Sequence, residues 1–179
     1  YLHTAPGSIR FTYGMHGKPR LDGRQAKSGL HFNLAHSHDL ALVAVTRLGP
    51  VGVDIELIRY LEELDELVSR FFSPREAVAF YRLPADDKPV AFFKLWTRKE
   101  AWLKATGEGI AHSLSQVEVS FLPGEPAQLL RVPHSHAPVQ GWSLDNLAPA
   151  AGYAGAVAVL APKSWVRCWH WQPEMGEVV

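Results

Sequence analysis

The sequence predicts an α+β fold in which a block of helices sits between two blocks of strands. Three observations carry this: alternating apolar runs before residue 58, helix-spaced apolar residues from 61 to 106, and strand-like runs again from 116 onward. The chain has 179 residues, 47% of them hydrophobic and 20% charged, enough for one compact unit or two small lobes sharing a core. No internal repeat or low-complexity segment interrupts the pattern.

In chain order, residues 1–29 include Tyr13-Gly14-Met15-His16-Gly17-Lys18-Pro19-Arg20, with neither helical nor alternating apolar spacing, and are expected as loop. Strands are expected over Leu30–Ala35, Leu40–Thr46 and Val51–Glu56. Their connections, His36-Ser37-His38-Asp39 and Leu48-Gly49-Pro50, are short enough to favour adjacent antiparallel pairing. Leu61, Leu64, Leu67 and Val68 then fall on one helical face, opposite Glu62, Glu63, Asp65 and Glu66, and Phe71 and Phe72 are expected to close that helix onto the core. Ser73-Pro74-Arg75-Glu76 reads as a helix start, with Ser73 as N-cap, Pro74 in the first turn and Glu76 completing a capping box. Pro84 ends that short helix near Leu83, and a longer one is expected from about Asp87 to Thr106, closed by Gly107. Gly107-Glu108-Gly109 is too short for a phosphate loop and reads as that C-cap and its turn. Five further strands are expected over Gln116–Phe121, Ala127–Val132, Gln140–Leu144, Gly152–Leu160 and Trp165–Trp171, divided by Pro, Gly and Asp-Asn turns.

Composition narrows the function. Eighteen basic and eighteen acidic residues give no net charge, so no global field draws the chain to nucleic acid or an anionic membrane. An anionic ligand must be held locally. The single cysteine, Cys168, forbids an internal disulfide and suits a reducing compartment, with cytoplasm as the expectation. Nothing approaches the roughly 20 apolar residues of a membrane-spanning helix, and Tyr1-Leu2-His3-Thr4 lacks the regions of a signal peptide. Because the chain begins with Tyr, a fragment or processed form is expected.

Two clusters carry chemistry. In Val51-Gly52-Val53-Asp54-Ile55-Glu56 the acids alternate with apolar residues, so on a strand both carboxylates project from one face, about 6–7 Å apart. Paired acids invite a hard cation such as Mg²⁺; alternatively they are the solvated edge of an amphipathic strand. On the long helix, Glu100 and Lys104 stand one turn apart, within about 40° of each other, beside Trp96 and Leu103. They are either a surface ion pair or the acid and cation that phosphoryl chemistry requires. His36-x-His38 and His134-x-His136 have a zinc-like spacing, but no third and fourth ligand completes a set. Cys168, among Trp165, Trp169 and Trp171, reads as a buried structural thiol, and the six Trp as mainly core or sheet-face residues.

Gly52-Val53-Asp54-Ile55-Glu56 followed by Trp96-Thr97-Arg98-Lys99-Glu100-Ala101-Trp102-Leu103-Lys104 resembles the paired signature of the 4'-phosphopantetheinyl transferase superfamily. Gly17-Lys18-Pro19 and Phe32-Asn33-Leu34-Ala35-His36-Ser37 resemble two further motifs of its Sfp-type branch, and Phe71-Phe72-Ser73-Pro74-Arg75-Glu76 the segment between the metal motifs. The resemblance covers about residues 13–110. It implies transfer of the phosphopantetheine arm of coenzyme A to a serine of an apo acyl or peptidyl carrier protein, as in fatty-acid, polyketide or nonribosomal-peptide synthesis, with release of 3',5'-ADP.

It also implies Mg²⁺ held by Asp54, Glu56 and Glu100, with Lys104 near the scissile phosphate, and Glu100 or a metal-bound water as the base. His36 matches the histidine that binds coenzyme A phosphate, while Lys18 and Pro19 match the segment beside its adenine. Ala35 stands where the family usually has serine, which leaves Ser37 as the neighbouring hydroxyl for the nucleotide. The implied fold is two similar α+β lobes about a pseudo-twofold axis. Residues 1–49 would be the remainder of the N-terminal lobe and 50–179 the C-terminal lobe, with much of the first lobe upstream of Tyr1. A monomer is expected, docking its acidic carrier through Arg70, Arg75 and the neighbourhood of Phe71 and Phe72. The competing expectation is a non-catalytic module that binds coenzyme A or the carrier protein.

Overall fold

The computed structural model describes residues 1–108 and 114–171. Its elements are β1 (Phe11–Tyr13), β2 (Pro19–Leu21), α1 (Gly23–Ala26), β3 (His31–Ser37), β4 (Leu40–Thr46), β5 (Val51–Leu57), α2 (Leu64–Phe71), α3 (Pro74–Tyr81), α4 (Lys88–Thr106), β6 (Glu118–Val119), β7 (Leu129–Arg131), β8 (Ser143–Leu147) and β9 (Tyr153–Val159). The α+β order expected from the sequence is the order found.

The antiparallel sheet β5-β9-β8 organises the molecule. Val51, Val53 and Ile55 of β5 join Val157 and Val159 of β9 and Ala35 of β3 in one apolar cluster, which also takes in Leu42 and Ala44 of β4. The opposite face belongs to α4. Ala154, Ala156 and Ala158 of β9 pack with Ala101, Trp102 and Ala105 in the larger core cluster, and such small sheet residues let the helix lie close. Gly52 makes that approach possible: a Cβ there would stand 2.1 Å from the Ala101 carbonyl oxygen and 2.3 Å from the Ala105 nitrogen. Asp54 and Glu56 share the strand face of Gly52, so α4 passes over the acids.

Helix ends follow the expected chemistry. Ser73 Oγ accepts from the Glu76 amide while the Glu76 carboxylate accepts from the Ser73 amide, the reciprocal capping box. α4 ends where Gly107 adopts φ 81° and donates to the Leu103 carbonyl, a conformation that a side chain would disfavour. Gly109, the other end of that expected turn, lies outside the described residues.

Four expectations are corrected. Residues 1–29 contain the β1-β2 hairpin and the one-turn α1 in place of loop; three-residue strands are too short to show alternation, and the Phe11 ring, 5.6 Å from that of Phe32, ties the hairpin to β3. β3 and β4 pair in full antiparallel register around His38-Asp39, but β5 pairs with β9 and not with β4, because its apolar residues need cover that a meander would not supply. Asp145 and Asn146 lie within β8 and not in a turn; Asn146 is held there by Arg98, whose Nε donates to its Oδ1 at 3.0 Å. Finally, Trp165–Trp171 forms no strand: Trp165, Trp169 and Trp171 are exposed, and Cys168 is exposed, not buried. The alternation there is a cation between rings, with the Arg167 guanidinium 5.3 Å from the Trp165 ring and 6.0 Å from that of Trp169. Of the other three Trp, Trp102 and Trp142 are buried and Trp96 is half-buried.

Among the described residues no helix is long and apolar enough to cross a membrane.

Candidate active site

β5 and α4 bring the two acidic motifs together across fifty residues of chain. The Lys104 ammonium donates to Asp54 Oδ1 at 2.6 Å, so the lysine expected beside Glu100 is bonded to the strand instead. Asp54 is buried, and so is Glu100; Lys104 and Glu56 are partly exposed. The site is therefore one-sided, closed toward the core and open along Lys104 and Glu56.

Electrostatics mark it further. Burial pushes the Asp54 carboxyl up to about 6, against the pull of Lys104 and with a smaller upward push from Glu56. Glu100 is pushed up to about 7, by burial first and then by Asp54, with Lys104 opposing. Asp54 Oδ2 and Glu100 Oε1 are buried and accept no hydrogen bond among the described residues. Unpaired acceptors of this kind are costly and rare, so two in one site call for a ligand that supplies positive charge. As the side chains stand, no three His, Cys, Asp or Glu among the described residues converge tightly enough to cage an ion.

The remaining expected site residues divide. Lys18 Nζ donates to the carbonyls of Val51, at 2.9 Å, and Ala105, at 2.8 Å, and so fastens the start of β5 to the end of α4. Burial, helped by Arg20, lowers its pKa to about 8. With Pro19 it lines a cavity of ≈ 500 Å³ that also presents Arg20, His31, Thr106 and Trp142. His36 is exposed on the outward face of β3, whereas Ser37 is buried on the inward face. Ser37 Oγ donates to Glu56 Oε2 at 3.1 Å and accepts from the Leu57 amide at 3.1 Å. Arg70 and Arg75 are exposed; Phe72 is buried, and Phe71 is half-buried between the Trp96 ring and the Arg70 guanidinium.

Sequence reasoning missed the contact between Asp54 and Lys104, which only the packing at Gly52 creates. It also missed Asn33, whose Oδ1 accepts from the Val53 amide at 2.9 Å. The signal was present: Asn33, Ala35 and Ser37 alternate onto one face of β3. His136 is not part of a metal set but pairs with Glu108 at 3.1 Å and touches the Trp102 ring.

Comparison with known proteins adds four findings. The sequence profile of the family described as the 4'-phosphopantetheinyl transferase superfamily matches residues 50–158. The 4'-phosphopantetheinyl transferase HetI of Nostoc sp. is 43% identical over 171 residues, 96% of this chain and 69% of that protein. The 4'-phosphopantetheinyl transferase psf-1 of Bacillus pumilus is 41% identical over 131 residues, 72% of this chain but 53% of its own length, so the chain spans only part of either relative. Among solved structures, a holo-(acyl-carrier-protein) synthase from Bacillus anthracis in complex with CoA (3',5'-ADP) matches 65% of this chain and 97% of that one, with a TM-score of 0.51 and 24% identity.

Proposed function

The chain belongs to the 4'-phosphopantetheinyl transferase superfamily, and on that footing we propose that it transfers the 4'-phosphopantetheine arm of coenzyme A to a serine of an apo acyl or peptidyl carrier protein. The observation that carries this reading is the buried acid pair Asp54 and Glu100, each with an unpartnered oxygen, beside the Lys104 ammonium.

Mg²⁺ fits the donor set, which is all oxygen and under-satisfied. When bound it would be held by Asp54, Glu56 and Glu100 and would offset the charge of the coenzyme A pyrophosphate. The chain's own groups do the rest. The serine oxygen attacks the β-phosphorus in line, a new P–O bond forms, and the bond to the bridging oxygen breaks, its electron pair leaving with 3',5'-ADP. Glu100, a buried acid with an unpartnered oxygen, is the chain's own group placed to accept the serine proton. Lys104, partly exposed on the open side, puts a fixed cation where charge develops on the leaving group.

The cavity beside Lys18 and Pro19 supports a seat for the nucleotide, since Arg20 adds a cation and His31 a polar ring to its wall. In this reading the exposed His36 contacts nucleotide phosphate. Residues 1–49 act as the remainder of a first lobe and 50–179 as the second, and the protein works as a cytoplasmic monomer that docks its carrier through Arg70 and Arg75.

Incubation with apo carrier protein, coenzyme A and Mg²⁺, followed by mass spectrometry of the carrier, tests the proposal. One added phosphopantetheine group, absent with chelator, is the expected result. Coenzyme A binding with no modification of any carrier would favour the binding-module reading.

A further inference from the structure

β5 is an edge strand of its sheet, and its exposed backbone groups are met by side chains where a neighbouring strand would stand. Lys18 donates to the Val51 carbonyl, Asn33 accepts from the Val53 amide and Ser37 accepts from the Leu57 amide. Two of these three contacts come from one face of β3 at a spacing of four residues, which keeps the strand in place without a ladder. Of the three, only Ser37 also touches an acid of the site. Having accepted from Leu57, its hydroxyl has one proton left and places it on Glu56 Oε2 at 3.1 Å. His38 Nδ1 lies 3.3 Å from Ser37 Oγ, and Arg59 reaches Glu56 Oε2 from the solvent side at 3.5 Å. Glu56 is the least buried of the three acids, so its rotamer is the one that packing constrains least, and the Ser37 hydroxyl is its shortest anchor among the described residues.

We infer that Ser37 is a positioning residue that holds the Glu56 carboxylate on the metal side of β5, and not a nucleotide contact. This rests on the proposal that Asp54, Glu56 and Glu100 hold a divalent ion. Partners that orient a metal-binding carboxylate affect affinity about as strongly as the ligands' immediate geometry does, and their loss typically costs about 10–100-fold. Asn33 supplies the contrast, since it performs the same backbone service and touches no acid.

Mn²⁺ alone serves as the probe, its free concentration read by electron paramagnetic resonance as the chain is titrated, with urea unfolding followed in parallel. Ser37→Ala is expected to weaken Mn²⁺ binding about tenfold or more. Ser37→Thr, which keeps the hydroxyl, should recover most of it. Asn33→Ala should lower the urea midpoint while leaving Mn²⁺ affinity within about twofold for the chain that remains folded, in line with the independence of groups that share no partner. Ser37→Ala binding Mn²⁺ like the parent would overturn the inference and leave Ser37 as an edge clamp only. Parent binding no tighter than that of Asp54→Ala would instead remove the metal reading, and the inference with it. A rise in the Michaelis constant for coenzyme A in Ser37→Ala, with Mn²⁺ affinity unchanged, would return Ser37 to the nucleotide.

Discussion

Lys99 and Glu100 are neighbours on α4 and both are buried, yet one belongs to a completed network and the other to an open one. Lys99 has three N–H groups and three acceptors: Glu76 Oε2 at 2.5 Å, the Leu114 carbonyl at 2.9 Å and the Phe71 carbonyl at 3.2 Å. Glu76 in turn accepts from the Ser73 and Val119 amides. Five segments are tied by one fully satisfied pair. One residue on, Glu100 and Asp54 each keep a buried oxygen without a partner, and the cation that faces them makes one bond among the described residues, to Asp54. The difference teaches that burial of charge does not mark function here. Two unpartnered acid oxygens facing one cation do, whereas a lone unpaired nitrogen such as Arg98 Nη2 does not, because a site must keep several valences for its ligand.

Breaking the completed network should cost the fold most. Lys99→Ala leaves Glu76 charged and uncompensated in the core, and urea unfolding should show a loss of about 3–5 kcal/mol. Lys104→Ala, on the open side, should cost less, because Asp54 can take up a proton once its cation is gone. Carrier modification should nevertheless fall about 10²–10³-fold with coenzyme A binding within about tenfold, as measured by single-turnover kinetics and calorimetry. Lys104→Arg should rescue only in part, since a planar fork does not reproduce a compact ammonium.

This contrast was only half visible in the sequence. Asp54 and Glu56 could be read as sharing a face because strand alternation is local, and the Ser73 capping box and the Gly107 stop because helix ends are local too. That α4 crosses over Asp54 depends on the missing Cβ of Gly52, a long-range packing fact no window contains. The same holds for the choice of β9 over β4 as the partner of β5. At the C-terminal end the error ran the other way. Trp165, Trp169 and Trp171 have strand-like spacing, but spacing records side-chain periodicity and not the presence of a second strand.

A smaller effect sharpens the comparison from the completed side. Ser73→Ala removes the hydroxyl half of the capping box while Glu76 keeps Lys99 and Val119, so thermal unfolding should report a loss of only about 1 kcal/mol, the ordinary worth of a cap.

The open side is tested most directly at Glu100. Its pKa is raised in the folded chain, from 4.5 to about 7, so the stability of its neutral form is present below about 4.5 and lost as pH rises through about 7. Glu100→Gln fixes the neutral state. With chelator present, urea unfolding of parent and Glu100→Gln should coincide closely at acidic pH, and the variant should become the more stable above pH 8, by about 1–2 kcal/mol, while carrier modification is lost. A variant that is less stable than the parent at every pH, as expected for Lys99→Ala, or one that still modifies the carrier, would contradict the claim that this site is held open for its ligand.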